Sequence, residues 1–169
     1  MKISTFAAIT WRWCSMLLAV AAIIWTYSVN AEEVALSYDA AGNGSFFLSK
    51  SELFYLACAV FLLNNVLIVA MKKQLHRIPV SIMPIPKKEA WAQHKSELVE
   101  FLGTWLFAIV GAVNVILALG LFALATVNSK QFTYDIFDFE WLSYGSLALL
   151  VLVFVVLPFR LFRPPVPTL

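Results

Sequence analysis

The sequence predicts an all-α fold: a polytopic membrane protein with a four-transmembrane-helix bundle and both termini in the cytoplasm. Hydrophobic residues make up 62% of the 169 residues and charged residues only 13%, whereas soluble domains contain about 25% charged residues. Four apolar segments, at about 14–29, 53–71, 101–127 and 141–159, approach or exceed the roughly 20 residues that a spanning helix needs. We therefore expect a single membrane domain over residues 1–169, with the lipid bilayer as its main solvent.

The first segment is the shortest, and it reaches full spanning length when the preceding Trp11-Arg12-Trp13 joins its helix. It also resembles a secretory signal peptide, because Lys2 precedes an apolar run that ends in small residues. Arg12 and the tryptophans interrupt that run, so we expect a retained span rather than a cleaved leader. Proline is absent from the interiors of the four segments, and Pro158 lies where it can end the last one.

The basic residues are distributed unevenly between the loops. Loop 72–100 contains six of the twelve lysines and arginines, whereas loops 30–52 and 128–140 contain one lysine each and seven acidic residues in total. Because Lys and Arg concentrate in cytoplasmic loops, we expect loop 72–100 and both termini in the cytoplasm and the other two loops outside. The net charge of +2 is too small to indicate a nucleic-acid partner.

Aromatic residues flank the predicted spans. Tyr and Trp are enriched at both membrane–water interfaces, where their amphipathic rings lie at the level of the headgroups. We therefore expect interface anchors at six positions near predicted helix ends: Trp25, Tyr27, Trp91, Trp105, Trp141 and Tyr144.

The first outer loop contains the least apolar stretch of the chain, SYDAAGNGS at 37–45. Asn43-Gly44 is a strong tight-turn signal, and Asp39 can form a local Asx turn. We expect a compact turn without metal, followed by Ser51 as the cap of the second span. Calcium ligation by Asp39 is disfavoured, because an EF-hand loop needs further acids at alternate positions. Docking of a basic partner on this acidic loop remains an alternative.

Three prolines between Pro79 and Pro86 prevent the second helix from continuing, which predicts an extended crossing of the cytoplasmic face. A helix is then expected to begin near Lys87 and to run through Trp91 and Glu97 into the third span. Binding of a partner domain to the proline-containing loop is the alternative.

Short motifs in these two loops resemble a bacterial membrane-protein family of unknown function, related to the immunity proteins against the sporulation-delaying toxin. In that family the outer loop reads Pro-x-His-x-Asn-x-x-Gly before a Ser-Lys, and the later loop reads Pro-Asn-Lys-x-x-Trp. Over about residues 15–120 the matching positions are Gly42, Ser49, Lys50, Pro86, Lys88 and Trp91. Ala35, Ser37 and Asp39 replace the family's Pro, His and Asn. The resemblance implies an immunity or signalling role, and with it we expect a multi-pass protein of a bacterial cytoplasmic (inner) membrane.

From residue 15 onward, the four apolar segments contain no Asp, Glu, Lys, Arg or His. Ion and proton pathways use such groups, which cost about 2.5–3.5 kcal/mol each to insert, so a channel or carrier is disfavoured. The strongly polar exceptions are Asn64, Asn65 and Asn114. We expect Asn114 to face the bundle interior and to hydrogen-bond with Asn64 or Asn65; a substrate contact is the alternative.

Small residues recur on the third span at four-residue spacing: Thr104, Ala108 and Ala112, with Gly111 beside them. Small residues let transmembrane helices approach each other closely. We expect this small-residue stripe to pack against another helix, within the chain, in a homo-oligomer or in a partner membrane protein.

The sequence contains no nucleophile–base pair, phosphate-binding glycine loop or dinucleotide fingerprint, so we expect no enzyme and no cofactor. His76 and His94 lack companions at metal-ligand spacing, and we expect both to be solvated. The favoured function is an accessory or scaffold subunit that packs against other membrane proteins of a larger complex. An immunity or signalling role is the first alternative, and a small-molecule channel or carrier is the second.

Overall fold

The computed structural model describes residues 3–129 and 134–164, and it confirms four long apolar helices that are able to cross a membrane. This part of the chain contains five α-helices and two strands: α1 (Ile3–Val29), β1 (Glu33–Tyr38), β2 (Gly44–Ser49), α2 (Lys50–Leu75), α3 (Lys88–Gln93), α4 (Lys95–Asn128) and α5 (Glu140–Leu161). The orientation of the termini stays a prediction. Lys2 and Lys130, which contribute to it, lie outside the described residues.

Each long helix extends beyond the apolar segment that predicts it. α1 begins at Ile3, so that Trp11-Arg12-Trp13 lies inside it, and α2 continues through Lys72 and Lys73 in its last turn. Cations there stabilise a helix because they face the negative end of its dipole. α4, with 34 residues, is about 51 Å long and exceeds the roughly 30 Å thickness of the hydrocarbon. One end of α4 therefore extends beyond the hydrocarbon.

α4 is the central helix of the bundle. In the most apolar 18-residue stretch of α4, half of the residues are buried. In the corresponding stretch of the last span, only 11% are buried. α1 makes the most extensive contact with α4, α2 packs against α4 and α1, and α5 packs against α4. α5 is therefore the peripheral helix.

The first predicted outer loop folds into an antiparallel β-hairpin, which the all-α prediction does not contain. β1 pairs with β2 in a register that places Val34 opposite Leu48, with an irregularity after Ala35. The Asn128 amide at the end of α4 contacts the strand at this irregularity. Its Oδ1 accepts from Ala35 N (2.7 Å) and its Nδ2 donates to Ala35 O (3.1 Å). The hairpin is thereby attached to the central helix, and Val34 is fully buried.

The connection between α2 and α4 differs from the predicted single helix. Lys87, in the left-handed region at φ 52°, precedes the short α3. α3 ends at His94, whose backbone (φ −119°, ψ 37°) is not helical, and α4 begins at the next residue. The predicted continuous helix into the third span is therefore wrong. His94 is also not solvated as predicted: only 20% of its side chain is exposed, and its Nδ1 lies 3.6 Å from Glu97 Oε1.

Trp91 of α3 is fully buried, so its predicted role as an interface anchor is wrong. It lies in a cluster formed by the proline-containing loop and the ends of α4 and α5, with Val80, Met83, Leu98 and Leu161. The Trp91 Nε1 donates to Leu161 O at 2.9 Å. This bond satisfies one of the carbonyl groups that the last turn of α5 cannot pair within the helix.

Candidate functional site

Three asparagines meet inside the bundle. Asn114 of α4 is fully buried, and its Oδ1 accepts hydrogen bonds from Asn64 Nδ2 and Asn65 Nδ2 of α2, each at 3.0 Å. The Asn114 Nδ2 donates to Asn65 Oδ1 at 3.4 Å and to Ser15 Oγ of α1 at 3.5 Å. These four residues, which we call the asparagine cluster, join three helices.

The asparagine cluster also bonds to the backbone of its own helices. Asn64 Nδ2 donates to Val110 O (3.2 Å) and Asn65 Nδ2 donates to Phe61 O (2.9 Å). Hydrocarbon contains no water that could replace such bonds, so separating α2 from α4 would leave amide groups unpaired. The arrangement therefore suits a structural junction between helices.

The small-residue stripe of α4 divides between two surroundings. At Gly111 the Trp11 indole of α1 occupies the position that a Cβ would take, and Trp11 Nε1 donates to Ala108 O at 3.4 Å. Ala112 is fully buried. Thr104 and Ala108 instead line a cleft. The helix that approaches the stripe most closely is therefore α1 of the same chain.

Two open cavities adjoin α5. The loop-side cleft, of about 380 Å³, lies between α1, α4 and α5, and Glu97 and Arg160 are among its lining residues. The hairpin-side cavity, of about 640 Å³, lies between the hairpin, α4 and α5. A Cβ at Gly120 would meet nothing within 4 Å, so α4 and α5 stand apart at this level.

Small side chains from both helices line the hairpin-side cavity: Gly120 and Ala123 of α4, and Ser143 and Ser146 of α5. The sequence reasoning missed these residues. Their signal is a small residue repeated after three positions on each helix, a spacing that places both members on one face.

Asp39 organises the turn between β1 and β2. Its Oδ1 accepts from the backbone N–H groups of Asn43 (2.8 Å) and Ala41 (2.9 Å), and its Oδ2 accepts from Asn43 Nδ2 (3.3 Å). The bonds from Asn43, chiefly that from its backbone, hold the pKa of the Asp39 carboxyl below its ordinary value. Gly42 has φ +82°, a conformation that most other residues avoid. The predicted Asx turn is therefore confirmed.

Ser49, rather than the predicted Ser51, caps α2. Ser49 Oγ accepts from Glu52 N (3.2 Å), and Glu52 Oε2 accepts from Ser49 N (2.9 Å). This reciprocal pair is a capping box. Ser51 already lies inside the first helical turn, whereas a capping residue precedes it.

The positions that carry the family resemblance all fall in described parts of the two loops: Gly42, Ser49, Lys50, Pro86, Lys88 and Trp91. Lys50 Nζ lies 2.6 Å from Glu32 Oε1. Lys88 Nζ donates to Ser81 O at 3.2 Å, and Pro86 lies shortly before α3. These residues contribute turns, caps and loop contacts, and the two loops lie at opposite ends of α2.

Within residues 3–129 and 134–164, no group of three or more His, Cys, Asp or Glu side chains is placed to hold a metal ion. No protein-family model matches the chain, and no curated protein or solved structure is significantly similar to it. The relationship to the immunity family therefore stays a prediction. The four apolar helices indicate a multi-pass integral membrane protein.

Proposed function

We propose that the protein is a non-enzymatic accessory subunit of a membrane complex, and that a helix of a partner membrane protein docks beside α5. The observation that supports this proposal is the hairpin-side cavity, which small side chains line from both α4 and α5. Helix association in lipid depends on close packing, and small residues permit it. A partner helix that lies along Gly120 and Ser146 gains this packing.

The attachment of α5 to the rest of the chain favours the same surface. Trp105 Nε1 donates to Val153 O (2.8 Å) and Trp91 Nε1 donates to Leu161 O (2.9 Å), both in the half of α5 that is distant from the hairpin. In the other half, a Cβ at Gly145 would meet nothing within 4 Å. A partner helix therefore covers surface that the chain's own helices leave open.

The rim of the hairpin-side cavity indicates the charge of the partner. Asp39 and Glu140 line it, and hydrogen bonds from Asn43 hold the pKa of the Asp39 carboxyl below its ordinary value. A docking helix that ends in Lys or Arg complements this acidic rim.

The test is co-purification from gently solubilised membranes of the native host, with variants that fill the cavity. Gly120→Leu and Ser146→Leu place a bulky side chain in open space, so they should abolish recovery of the partner and leave the chain's melting temperature unchanged. Ala148→Leu is the matched control, because Ala148 is exposed on α5 and should tolerate the change. Unchanged recovery in both cavity variants contradicts this docking surface, and purification of the chain without any stoichiometric companion contradicts the accessory role.

An immunity or signalling role is the second candidate, and the hairpin favours it. Asn128 attaches this element to α4, and the hairpin exposes Phe46 and Phe47 by 55% and 50%. A toxin that acts from the predicted outer side meets this surface first. Expression in toxin-sensitive cells tests the role: protection that is lost in a Phe46→Ser, Phe47→Ser variant supports it, and sensitive cells that gain no protection contradict it.

A further inference from the structure

Two cations from different helices converge on one aromatic ring. Lys72 Nζ of α2 lies 3.7 Å from the centroid of the Phe107 ring of α4, and the guanidinium carbon of Arg12 of α1 lies 4.9 Å from the same centroid. The two charges are therefore no farther apart than the sum of these distances. We call Arg12 and Lys72 the basic pair.

Neither member of the basic pair has an acidic partner in the part of the chain that the structure describes. The ion pairs there join Lys50 with Glu32 and His94 with Glu97. Arg12 Nε is buried without a hydrogen-bond acceptor. Cation–π contact with Phe107 offsets part of the desolvation of the two charges, but it does not remove their mutual repulsion. A bound anion would offset this repulsion.

The lengths of α2 and α4 relate the basic pair to the depth of the lipid headgroups. Lys50 and Asn128 both adjoin the hairpin, through Lys50 N to Glu32 O and through the Asn128 contacts with β1. From Asn128 to Phe107, α4 rises about 32 Å, and from Lys50 to Lys72, α2 rises about 33 Å. Both lengths are close to the roughly 30 Å of hydrocarbon. When the hairpin lies at one boundary of the hydrocarbon, the basic pair therefore lies at the opposite boundary.

Packing holds the basic pair in place before any anion binds. The Lys72 stem crosses α4 at Gly103, where a Cβ would come within 2.9 Å of Lys72 Cε. Gly103 precedes Phe107 by four residues, so both lie on the same face of α4. On the other side, the contact of Trp11 with Gly111 fixes the part of α1 that carries Arg12.

We propose that Arg12 and Lys72 together bind the phosphate of an anionic phospholipid in the leaflet that adjoins loop 72–100. The phosphodiester has two free oxygens, so it accepts from the Arg12 guanidinium and from the Lys72 ammonium at the same time. Basic pockets between transmembrane helices are known to bind anionic headgroups. The acyl chains extend along the exposed apolar surface of the neighbouring helices, a contact that a free phosphate ion lacks.

The test uses the full chain in a neutral detergent, with its melting temperature measured against added phosphatidylglycerol, phosphatidylcholine or inorganic phosphate. Phosphatidylglycerol should stabilise the protein more than the other two. Arg12→Gln and Lys72→Gln should each weaken the apparent lipid affinity about fivefold, because a basic residue near an anionic surface contributes about 1 kcal/mol. Arg12→Lys and Lys72→Arg keep the charge and should retain most of the affinity. Lys73→Gln is the matched control, because Lys73 is exposed beside the site.

Equal stabilisation by the two lipids overturns the proposal, as does an affinity that neither Gln substitution changes. Equal stabilisation by inorganic phosphate assigns the site to a free anion and overturns the lipid assignment. An equal loss in Lys73→Gln indicates a non-specific basic surface and also overturns it. Native mass spectrometry of the unmodified protein is a second measurement that needs no variant: a retained phosphatidylglycerol adduct is expected, and no preference over phosphatidylcholine contradicts the site.

Discussion

Replacing Asn114 with Leu tests whether the asparagine cluster holds α2 against α4. Leu branches at the same carbon as Asn and ends in two atoms, so it approximates the shape of Asn without a donor or an acceptor. The change removes the two 3.0 Å hydrogen bonds that Asn114 Oδ1 accepts from Asn64 and Asn65. Those two amides keep their bonds to Val110 O and Phe61 O, which limits the loss.

The expected destabilisation of Asn114→Leu is about 1–2 kcal/mol. Interhelical hydrogen bonds in membrane proteins average about 0.6 kcal/mol, so the two short bonds account for about 1.2 kcal/mol. The contacts of Asn114 Nδ2 at 3.4 and 3.5 Å are long and add little. Amide protons left unpaired in Asn64 and Asn65 account for the rest. For a chain of this size the loss corresponds to a fall in melting temperature of about 2–8 °C.

Thermal unfolding in detergent measures this loss, and a set of variants identifies its source. Asn64→Leu with Asn65→Leu removes the donors, and adding Asn114→Leu removes all three amides. Because replacing both partners of a hydrogen bond costs less than stranding one, the triple variant should lose less stability than the separate losses add up to. Val113→Leu, beside Asn114 but partly exposed, controls for added volume. An unchanged melting temperature in Asn114→Leu, or strict additivity, would refute the hydrogen-bonding argument.

Gly42→Val should cost about 1–2 kcal/mol because a residue with a Cβ must adopt positive φ there; hydrogen exchange of the hairpin amides measures this, and unchanged protection contradicts it. Trp91→Phe should cost about 1–3 kcal/mol because Leu161 O loses its buried donor, and an unaltered thermal midpoint argues against that bond. The folded pKa of Asp39 is depressed, so its contribution to the stability of the turn is complete above the unfolded pKa of about 4 and is lost as the pH falls through the lower folded pKa. Protection of the turn amides, taken relative to the intrinsic exchange rate at each pH, should therefore fall over this acid range, and Asp39→Asn should not show the effect.

The spans could be predicted because hydropathy averaged over about 20 residues is insensitive to local detail. The residues at which the helices begin and end could not be predicted in this way. Arg12 interrupts the apolar run, yet α1 continues through it because the guanidinium lies near the Phe107 ring and an Arg side chain can extend toward the interface. The hairpin was missed because its strands are short, its pairing is irregular after Ala35, and its attachment to α4 depends on Asn128, which is distant in sequence.

The contact of Asn114 with Asn64 and Asn65 was predictable from their positions along the spans, because an amide in hydrocarbon needs a protein partner. The hairpin-side cavity was not, because it results from the divergence of two helices. That divergence depends on where α5 is attached, and both attachments, through Trp105 to Val153 and through Trp91 to Leu161, join residues far apart in the chain. Trp91 was wrongly predicted to be an interface anchor for the same reason. A tryptophan near the end of a span lies at the membrane interface only when no other segment of the chain covers its ring.

Polar contacts at three depths locate α1 and α2 on α4. Asn128 attaches the hairpin at the end of α4, Asn114 joins α2 and α1 near the middle of α4, and Phe107, about two turns further from the hairpin, contacts the basic pair. Apolar packing alone sets helix position weakly in lipid, because the acyl chains are as apolar as the side chains; directional contacts at several depths therefore determine the register of these helices. In the described residues, the side-chain hydrogen bonds that α5 receives from other elements come from two tryptophan N–H groups, both toward one end. Small residues line the cavity beside its other half, which is the surface where we propose that a partner helix docks.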